Sequence, residues 1–298
     1  MDIRGAVSRM NRGMPPFLNG LARAGLTAFG MLTSGLRMDP DFIILGAQRA
    51  GTTTLFRVLN DHPDVVRPTV TKGTGYFESN YRRGWRWYRS HFPIRFLADR
   101  RTGGHAMTFE SSGYYLFHPL AAQRIAADLP RVKVVAMLRD PVERAYSAHR
   151  HELRRGFESE EFERALELEP ERLCGEEERL RRDPAYESFA FRHHAYLTRS
   201  RYAEQVRRYV DALGADRVFL VDADRFFAEP AEELSELFAW LGLRAWLPDE
   251  VDQWNAQERE PMDSELRTRL RAVFSESDRE LAKLMRRPPS WMESGTPV

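Results

Sequence analysis

Two stretches combine residue types and spacings suited to holding anions. The first is Phe42-Ile43-Ile44-Leu45-Gly46-Ala47-Gln48-Arg49-Ala50-Gly51-Thr52-Thr53-Thr54, where an apolar run ends at Gly46 and a helical pattern begins at Thr52. A strand–loop–helix turn aims free backbone N–H groups and the positive end of a helix dipole at one point, which is a seat for phosphate. The spacing from Gly46 to Gly51 is that of a P-loop, G-x-x-x-x-G, but Thr52 stands where the Walker lysine belongs. The cation lies inside the loop instead, as Arg49. A nucleoside triphosphatase needs that lysine against its β- and γ-phosphates and a hydroxyl on magnesium. This loop offers backbone amides, three threonine hydroxyls and one guanidinium.

The second stretch is Lys133-Val134-Val135-Ala136-Met137-Leu138 followed by Arg139-Asp140-Pro141-Val142-Glu143. Asp140 suits the N-cap of a helix, Pro141 its first position and Glu143 the capping-box partner. Arg139 at the strand end and Ser147 two turns into the helix can then meet on one ligand.

The elements that must position these groups alternate. Phe42–Gly46, Lys133–Leu138 and Arg217–Val221 read as strands buried on both faces. Thr108–Tyr115 reads as a strand end and a turn. Helical spacing follows over Thr52–Leu59, Pro119–Leu129, Tyr202–Leu213 (stopped by Gly214), Pro230–Leu241 (stopped by Gly242) and Ser264–Met285. Alternating strands and helices without internal repeats predict one α/β domain, P-loop-like, with a central parallel β-sheet flanked by helices on both faces. Ligands of such sheets bind at the carboxyl ends of the strands. The domain is expected over 39–298, with 157–187 an acidic helical insertion or lid that shows no long apolar face. Residues 1–38 form an N-terminal extension. Val65–Pro93, aperiodic and rich in aromatic and basic residues, reads as loop and short helices along one side of a cleft. Its Tyr76, Phe77, Trp85, Trp87 and Tyr88 either stack on a ligand or plug the core.

Composition sets bounds. The net charge of +1 over 298 residues gives no support to nucleic-acid binding. A single cysteine, Cys174, excludes an intramolecular disulfide and a cysteine metal cluster, and suits a reducing, cytoplasmic setting. Of 45 basic residues only Lys72, Lys133 and Lys283 are lysines, a bias typical of a GC-rich, bacterial genome. Residues 17–36 are apolar but interrupted by Asn19, Arg23 and glycines, so they fall short of a spanning helix. They also lack a signal-peptide cleavage pattern. An amphipathic helix, packed or in peripheral contact with a membrane, is the expectation. Nothing in the sequence fixes an oligomeric state.

The two phosphate motifs, in this order and spacing, resemble the sulfotransferases that use 3′-phosphoadenylyl sulfate (PAPS), particularly the heparan-sulfate-type and bacterial carbohydrate branch. The resemblance runs from about Asp41 to Trp291. It is also carried by His62-Pro63, the Lys72…Tyr76-Phe77 segment, Trp87-Tyr88, Leu116-Phe117-His118-Pro119, Leu138 to Ser147, Tyr202-Ala203-Glu204-Gln205 and the Leu281…Trp291 tail. It implies that Arg49, Ala50, Gly51, Thr52, Thr53 and Thr54 hold the 5′-phosphosulfate, and that Arg139 and Ser147 hold the 3′-phosphate. It further implies a carbohydrate or glycoconjugate hydroxyl as acceptor, adenosine 3′,5′-bisphosphate as product, and no metal. Arg49 replaces the lysine usual in that family; a guanidinium stabilises a leaving phosphate but does not readily donate its proton. Lys72 would steady the transferring sulfuryl group.

On the acceptor side the sequence departs from the family's pattern. Gly73 stands where a glutamate base often follows the lysine, Gly75 where a histidine is often seen, Ser111 where some members carry a lysine, and Gly113 in place of a proline. Glu110 is the first candidate base, with His151 and Glu78 behind it; a structural carboxylate is the alternative role for Glu110. Two other readings remain at this point. One is a P-loop kinase, opposed by Thr52 and by Arg139 after the second strand. The other is a non-catalytic nucleotide-binding homologue, which Gly73 and Ser111 would support.

Overall fold

Four strands in the order β2-β1-β3-β4, all parallel, form the centre of the molecule. The computed structural model describes residues 16–68, 71–248, 251 and 262–293. In chain order the described elements used below are α1 (Pro16–Leu32), β1 (Phe42–Gly46), α2 (Thr52–Asp61), α3 (Trp85–Arg89), α4 (Arg95–Thr102), β2 (Phe109–Ser111), α5 (Ala121–Asp128), β3 (Lys133–Leu138) and α6 (Pro141–Arg155). They continue with α7 (Phe162–Leu173), α8 (Glu176–Arg182), α9 (Phe189–His193), α10 (Tyr202–Leu213), β4 (Val218–Asp222), α11 (Ala223–Ala228), α12 (Pro230–Leu241) and α13 (Ser264–Ala282).

Strand alternation explains why β1 and β3 are apolar without a break. Ile43, Leu45, Val134, Ala136 and Leu138 face one layer, where Ile125 of α5 and Tyr202, Val206 and Tyr209 of α10 pack. Phe42, Ile44, Val135 and Met137 face the other, against Leu55 and Leu59 of α2 and Leu234, Leu237 and Phe238 of α12. With helices on both faces, Phe42–Leu45 and Val134–Leu138 carry no polar side chain. The doubly covered parallel sheet expected from the sequence is therefore the observed one.

Both candidate motifs end at the carboxyl edge of adjacent strands. The pairing of β1 with β3 is regular to Ile44–Val135, then shifts so that Gly46 meets Ala136. There β1 turns into the phosphate loop. Asp140 caps α6 as expected, accepting from the Val142 amide at 2.8 Å and the Glu143 amide at 3.3 Å, with Pro141 at the helix start. Replacing it with alanine, Asp140→Ala, is expected to cost about 1 kcal/mol of stability, measured by denaturant unfolding. Binding at α6 should weaken in the same variant.

The acidic segment is better packed than its sequence suggests. Phe162, Ala165 and Leu166 of α7, spaced i, i+3, i+4, are buried with Val142, Ala145 and Ala148 of α6 and Phe274 of α13. Glu169 from the same face accepts the amides of Tyr196, Leu197 and Thr198 at 2.7–3.0 Å. The apolar part of the face is confined to 162–166, too short to stand out against the surrounding charges.

In the aperiodic segment the aromatics are core. Tyr76, Phe77 and Tyr88 are buried, with the Tyr76 and Tyr88 rings stacked at 4.6 Å and Phe77 edge-on to Tyr88 at 5.2 Å. Trp85 and Trp87 are half-buried against this cluster. The plug-the-core alternative holds for all five.

Candidate active site

The phosphate loop has the features an anion seat requires. Helix α2 begins at Thr52 with Gly51 as N-cap, and no side chain caps it. The first amides of the helix therefore point out of the loop. Gly51 has φ +95°, and a Cβ there would lie 3.0 Å from the Phe227 ring and 3.2 Å from the Met137 methyl. Arg49, with φ +73°, is the non-glycine residue among those described that takes a left-handed backbone. Such a conformation is held only where the surroundings over-determine it, commonly at a ligand site. Here the Arg49 side chain is tied down: its Nε donates to Ser147 Oγ at 3.2 Å, across 98 residues of sequence. The loop after β1 and the helix after β3 are thus joined through the two residues that separate motifs singled out.

Arg49, Thr52, Thr53 and Lys72 line one cavity of about 580 Å³. Lys72 reaches over the start of α2, with Nζ 3.4 Å from the Thr52 carbonyl oxygen and 3.4 Å from Thr53 Oγ1, and 5.2 Å from the Phe56 ring centre. Burial, with Arg57 nearby, pulls its ammonium down to about 8. Ala50 and Thr54 are buried behind the loop. Arg139 is placed at the end of β3, its Nη2 3.7 Å from Glu143 Oε2, while its carbonyl accepts from the Tyr202 hydroxyl at 3.0 Å.

The opposite wall was largely invisible in the sequence. Ser147, His151 and Arg155 follow at intervals of four along α6, the last two lining the cavity. Arg192 and His193 come from α9, Arg199 from the turn after it, and Tyr114 from the segment after β2. Buried Arg199 donates to Gln48 Oε1 in the phosphate loop and to the carbonyls of Phe191 and Arg192 at 2.7 and 2.9 Å. It thereby fixes the distal wall to the loop. Gln205 Nε2 donates to the carbonyls of Arg199 and Arg201 at 3.0 and 2.9 Å, which gives Tyr202-Ala203-Glu204-Gln205 a role in holding that turn.

Of the three candidate bases, the geometry separates Glu110 from the other two. Glu110 is fully buried and outside the cavity. Its Oε2 accepts from the Thr74 amide at 2.9 Å and the Thr74 hydroxyl at 2.8 Å, and its Oε1 from the hydroxyls of Tyr88 at 2.8 Å and Tyr115 at 3.2 Å. Four donors fill its acceptor sites and none of them is exchangeable for substrate without opening the core. The structural role is the one this arrangement supports, and the expectation that Glu110 is the base gives way for that reason. Glu78 lines the same cavity as Lys72. Its Oε1 sits 3.7 Å from Arg192 Nη1, and its Oε2 is buried without a hydrogen-bond partner. Burial raises its carboxyl to about 7, Arg192 opposing the rise. Arg124 Nη1 donates to the carbonyls of Phe77 and Glu78 at 3.0 and 2.8 Å and so anchors the backbone beneath it. His151 also lines the cavity; burial and Arg49 hold its imidazole below the usual histidine range.

The glycines that break the expected pattern have steric reasons. The Lys72 carbonyl accepts from the Ser111 amide at 3.0 Å, laying residues 72–75 against 111–113. A Cβ at Gly73 would lie 2.3 Å from the Ser111 carbonyl oxygen. Gly75 takes φ +61°, and a Cβ there would lie 3.0 Å from Glu78 Oε1.

A family model described as the sulfotransferase domain matches residues 39–277. The chain belongs to the sulfotransferase domain family. A sulfotransferase of known structure from Alicyclobacillus acidocaldarius superposes with a TM-score of 0.60 at 29% identity, covering 86% of this chain and 99% of that one. Among curated relatives, the bifunctional heparan sulfate N-deacetylase/N-sulfotransferase 1 of Caenorhabditis briggsae is 26% identical over 87% of this chain and 32% of its own length. The membrane-associated sulfotransferase kil1 of Dictyostelium discoideum is 24% identical over 85% of this chain and 66% of its own. The chain thus spans about a third of the length of the heparan sulfate enzyme it matches. Membership places the chain among the sulfotransferases and sets aside the kinase reading.

Proposed function

We propose that this sulfotransferase moves the sulfuryl group of PAPS to a hydroxyl of a carbohydrate acceptor and releases adenosine 3′,5′-bisphosphate. The observation that carries the reading is the meeting of Arg49, Thr52, Thr53, Lys72 and Glu78 in one cavity. The residues present fit PAPS: an uncapped helix start and a glycine N-cap leave room for a 5′-phosphate, and Arg49 and Lys72 supply fixed positive charge. Arg139 with Ser147 is assigned to the 3′-phosphate, and the Arg49–Ser147 hydrogen bond couples the two ends of the donor site.

In the proposed reaction the bond from sulfur to the phosphate oxygen breaks and a bond from sulfur to the acceptor oxygen forms. Arg49 and the α2 amides stabilise the charge left on the phosphate, and Lys72 the charge spread over the sulfuryl oxygens. Glu78 takes the acceptor proton. The cations Arg155, Arg192 and Arg199 around the same cavity favour an acceptor that itself carries negative charge. A cytoplasmic setting, expected from the single Cys174, is part of this proposal.

Calorimetric titration with adenosine 3′,5′-bisphosphate tests it on wild type and Arg139→Ala. Removing a charged partner of the 3′-phosphate should cost about 2–5 kcal/mol. An unchanged affinity in Arg139→Ala would overturn the 3′-phosphate assignment; failure of the wild type to bind would overturn the donor. A panel of hydroxyl-only and amino-bearing saccharides, followed by mass spectrometry, then tests the acceptor atom.

A further inference from the structure

We propose that the surface formed by α1, the turn after it and α4 docks this enzyme on an anionic phospholipid bilayer. Helix α1 is an unusual surface element. From Pro15 to Leu36 the chain carries one charge, Arg23, yet Leu26, Phe29, Leu32 and Leu36 are 55%, 55%, 79% and 65% exposed. A monomeric soluble domain seldom presents so many large apolar side chains together.

The patch is continued by a second element. Arg37 pairs with Ile94 in an antiparallel bridge, and the Met38 amide donates to the Pro93 carbonyl at 2.9 Å. That pairing sets Leu36 beside the start of α4, where Phe96 and Leu97 are 69% and 58% exposed. Underneath, the surface is firmly held. Gly30 is packed so closely on Ser90 that a Cβ would lie 2.6 Å from the Ser90 oxygen, and Arg86 Nη2 donates to the Met31 carbonyl at 3.3 Å. Arg37 Nη1 donates to the Ser90 carbonyl at 3.1 Å. The apolar side chains therefore stand on a fixed platform.

Charge identifies the occupant. On α4, Arg100 and Arg101 lie one turn beyond Phe96 and Leu97, on the same exposed face. Residues 24–37 and 81–101 together hold eight arginines and one aspartate, whereas the whole chain nets only +1. The excess positive charge is thus concentrated in the segments around the apolar patch, and the rest of the chain is acidic. Apolar side chains flanked by arginines match the interface of a bilayer rich in anionic headgroups: the side chains enter the acyl boundary and the guanidiniums meet phosphates. A second copy of the chain would bring this arginine set against itself, a like-charge contact that disfavours self-association through the same face.

Co-sedimentation of the full chain with vesicles of phosphatidylcholine, with and without about a third phosphatidylglycerol, tests the proposal. The expected result is binding to the anionic vesicles only, weakened at least tenfold by raised salt. Leu32→Asp/Leu36→Asp and Phe96→Ser/Leu97→Ser should each abolish binding. Arg100→Glu/Arg101→Glu should weaken it and reduce its salt dependence. All three should bind adenosine 3′,5′-bisphosphate as the wild type does, which excludes misfolding. Absence of vesicle binding, equal binding to neutral and anionic vesicles, or a dimer in light scattering that Leu32→Asp/Leu36→Asp dissociates would each overturn it.

Discussion

Glu78→Gln is expected to lower kcat by about 10²- to 10⁴-fold, the usual worth of a positioned general base, while leaving the affinity for adenosine 3′,5′-bisphosphate unchanged. The amide keeps the shape of the carboxylate and removes its capacity to accept a proton. The pH profile separates this from a loss of packing. Glu78, raised by burial to about 7, is protonated and inactive as a base below that pH. Lys72, lowered by burial to about 8, loses above that pH the charge proposed to steady the sulfuryl group. Wild-type kcat/KM should therefore be bell-shaped and narrow, with an acid limb set by Glu78 and an alkaline limb set by Lys72. In Glu78→Gln the acid limb should vanish along with most of the rate. In Lys72→Arg, whose guanidinium stays charged, the alkaline limb should move up beyond the range of the assay. A Glu78→Gln enzyme with wild-type kcat would return the base to His151, the other candidate in the cavity.

The two turns proposed to hold the donor were legible in the sequence because they are built from local grammar. A strand ending at Gly46 and another ending at Leu138 each hand the chain to a helix, and parallel pairing of β1 with β3 necessarily brings the two turns together. Arg49 and Ser147 could be singled out because each lies within nine residues of its strand end. The opposite wall of the cavity is assembled differently. Arg199 meets Gln48 across 151 residues, and Arg192 meets Glu78 across more than a hundred, through side chains carried on the short helix α9 and an irregular turn. No period marks such residues. Glu110 misled for a related reason. A carboxylate beside a turn reads as a candidate base from sequence, but Thr74, Tyr88 and Tyr115 satisfy it completely. The stretch from Val65 to Pro93 hid both outcomes: its aromatic residues fill the core while Glu78, between them, faces the cavity.

Restoring the family's acidic residue after the lysine should harm this enzyme. Gly73→Glu is expected to destabilise the fold by about 1–3 kcal/mol, the range for forcing atoms into a filled site, and to lower activity at least as far as Glu78→Gln does. The reason is backbone against backbone. A Cβ at position 73 would lie 2.3 Å from the Ser111 carbonyl oxygen and 2.6 Å from Ser112 Oγ. A flexible side chain could swing away; a carbonyl at the end of β2 cannot move without dragging the edge strand. Relief by shifting residues 72–75 would strain the Lys72 carbonyl's bond to the Ser111 amide and move Lys72 off Thr53, where it is held at 3.4 Å. On the proposed assignment the carboxylate comes instead from further along the chain, and Gly75 leaves the room at Glu78 Oε1 that a side chain would take. Thermal unfolding and a single-turnover assay check this together. A Gly73→Glu variant that melts at the wild-type temperature and transfers sulfuryl groups faster would show that the acceptor base belongs at position 73, and the assignment of Glu78 would fall with that result.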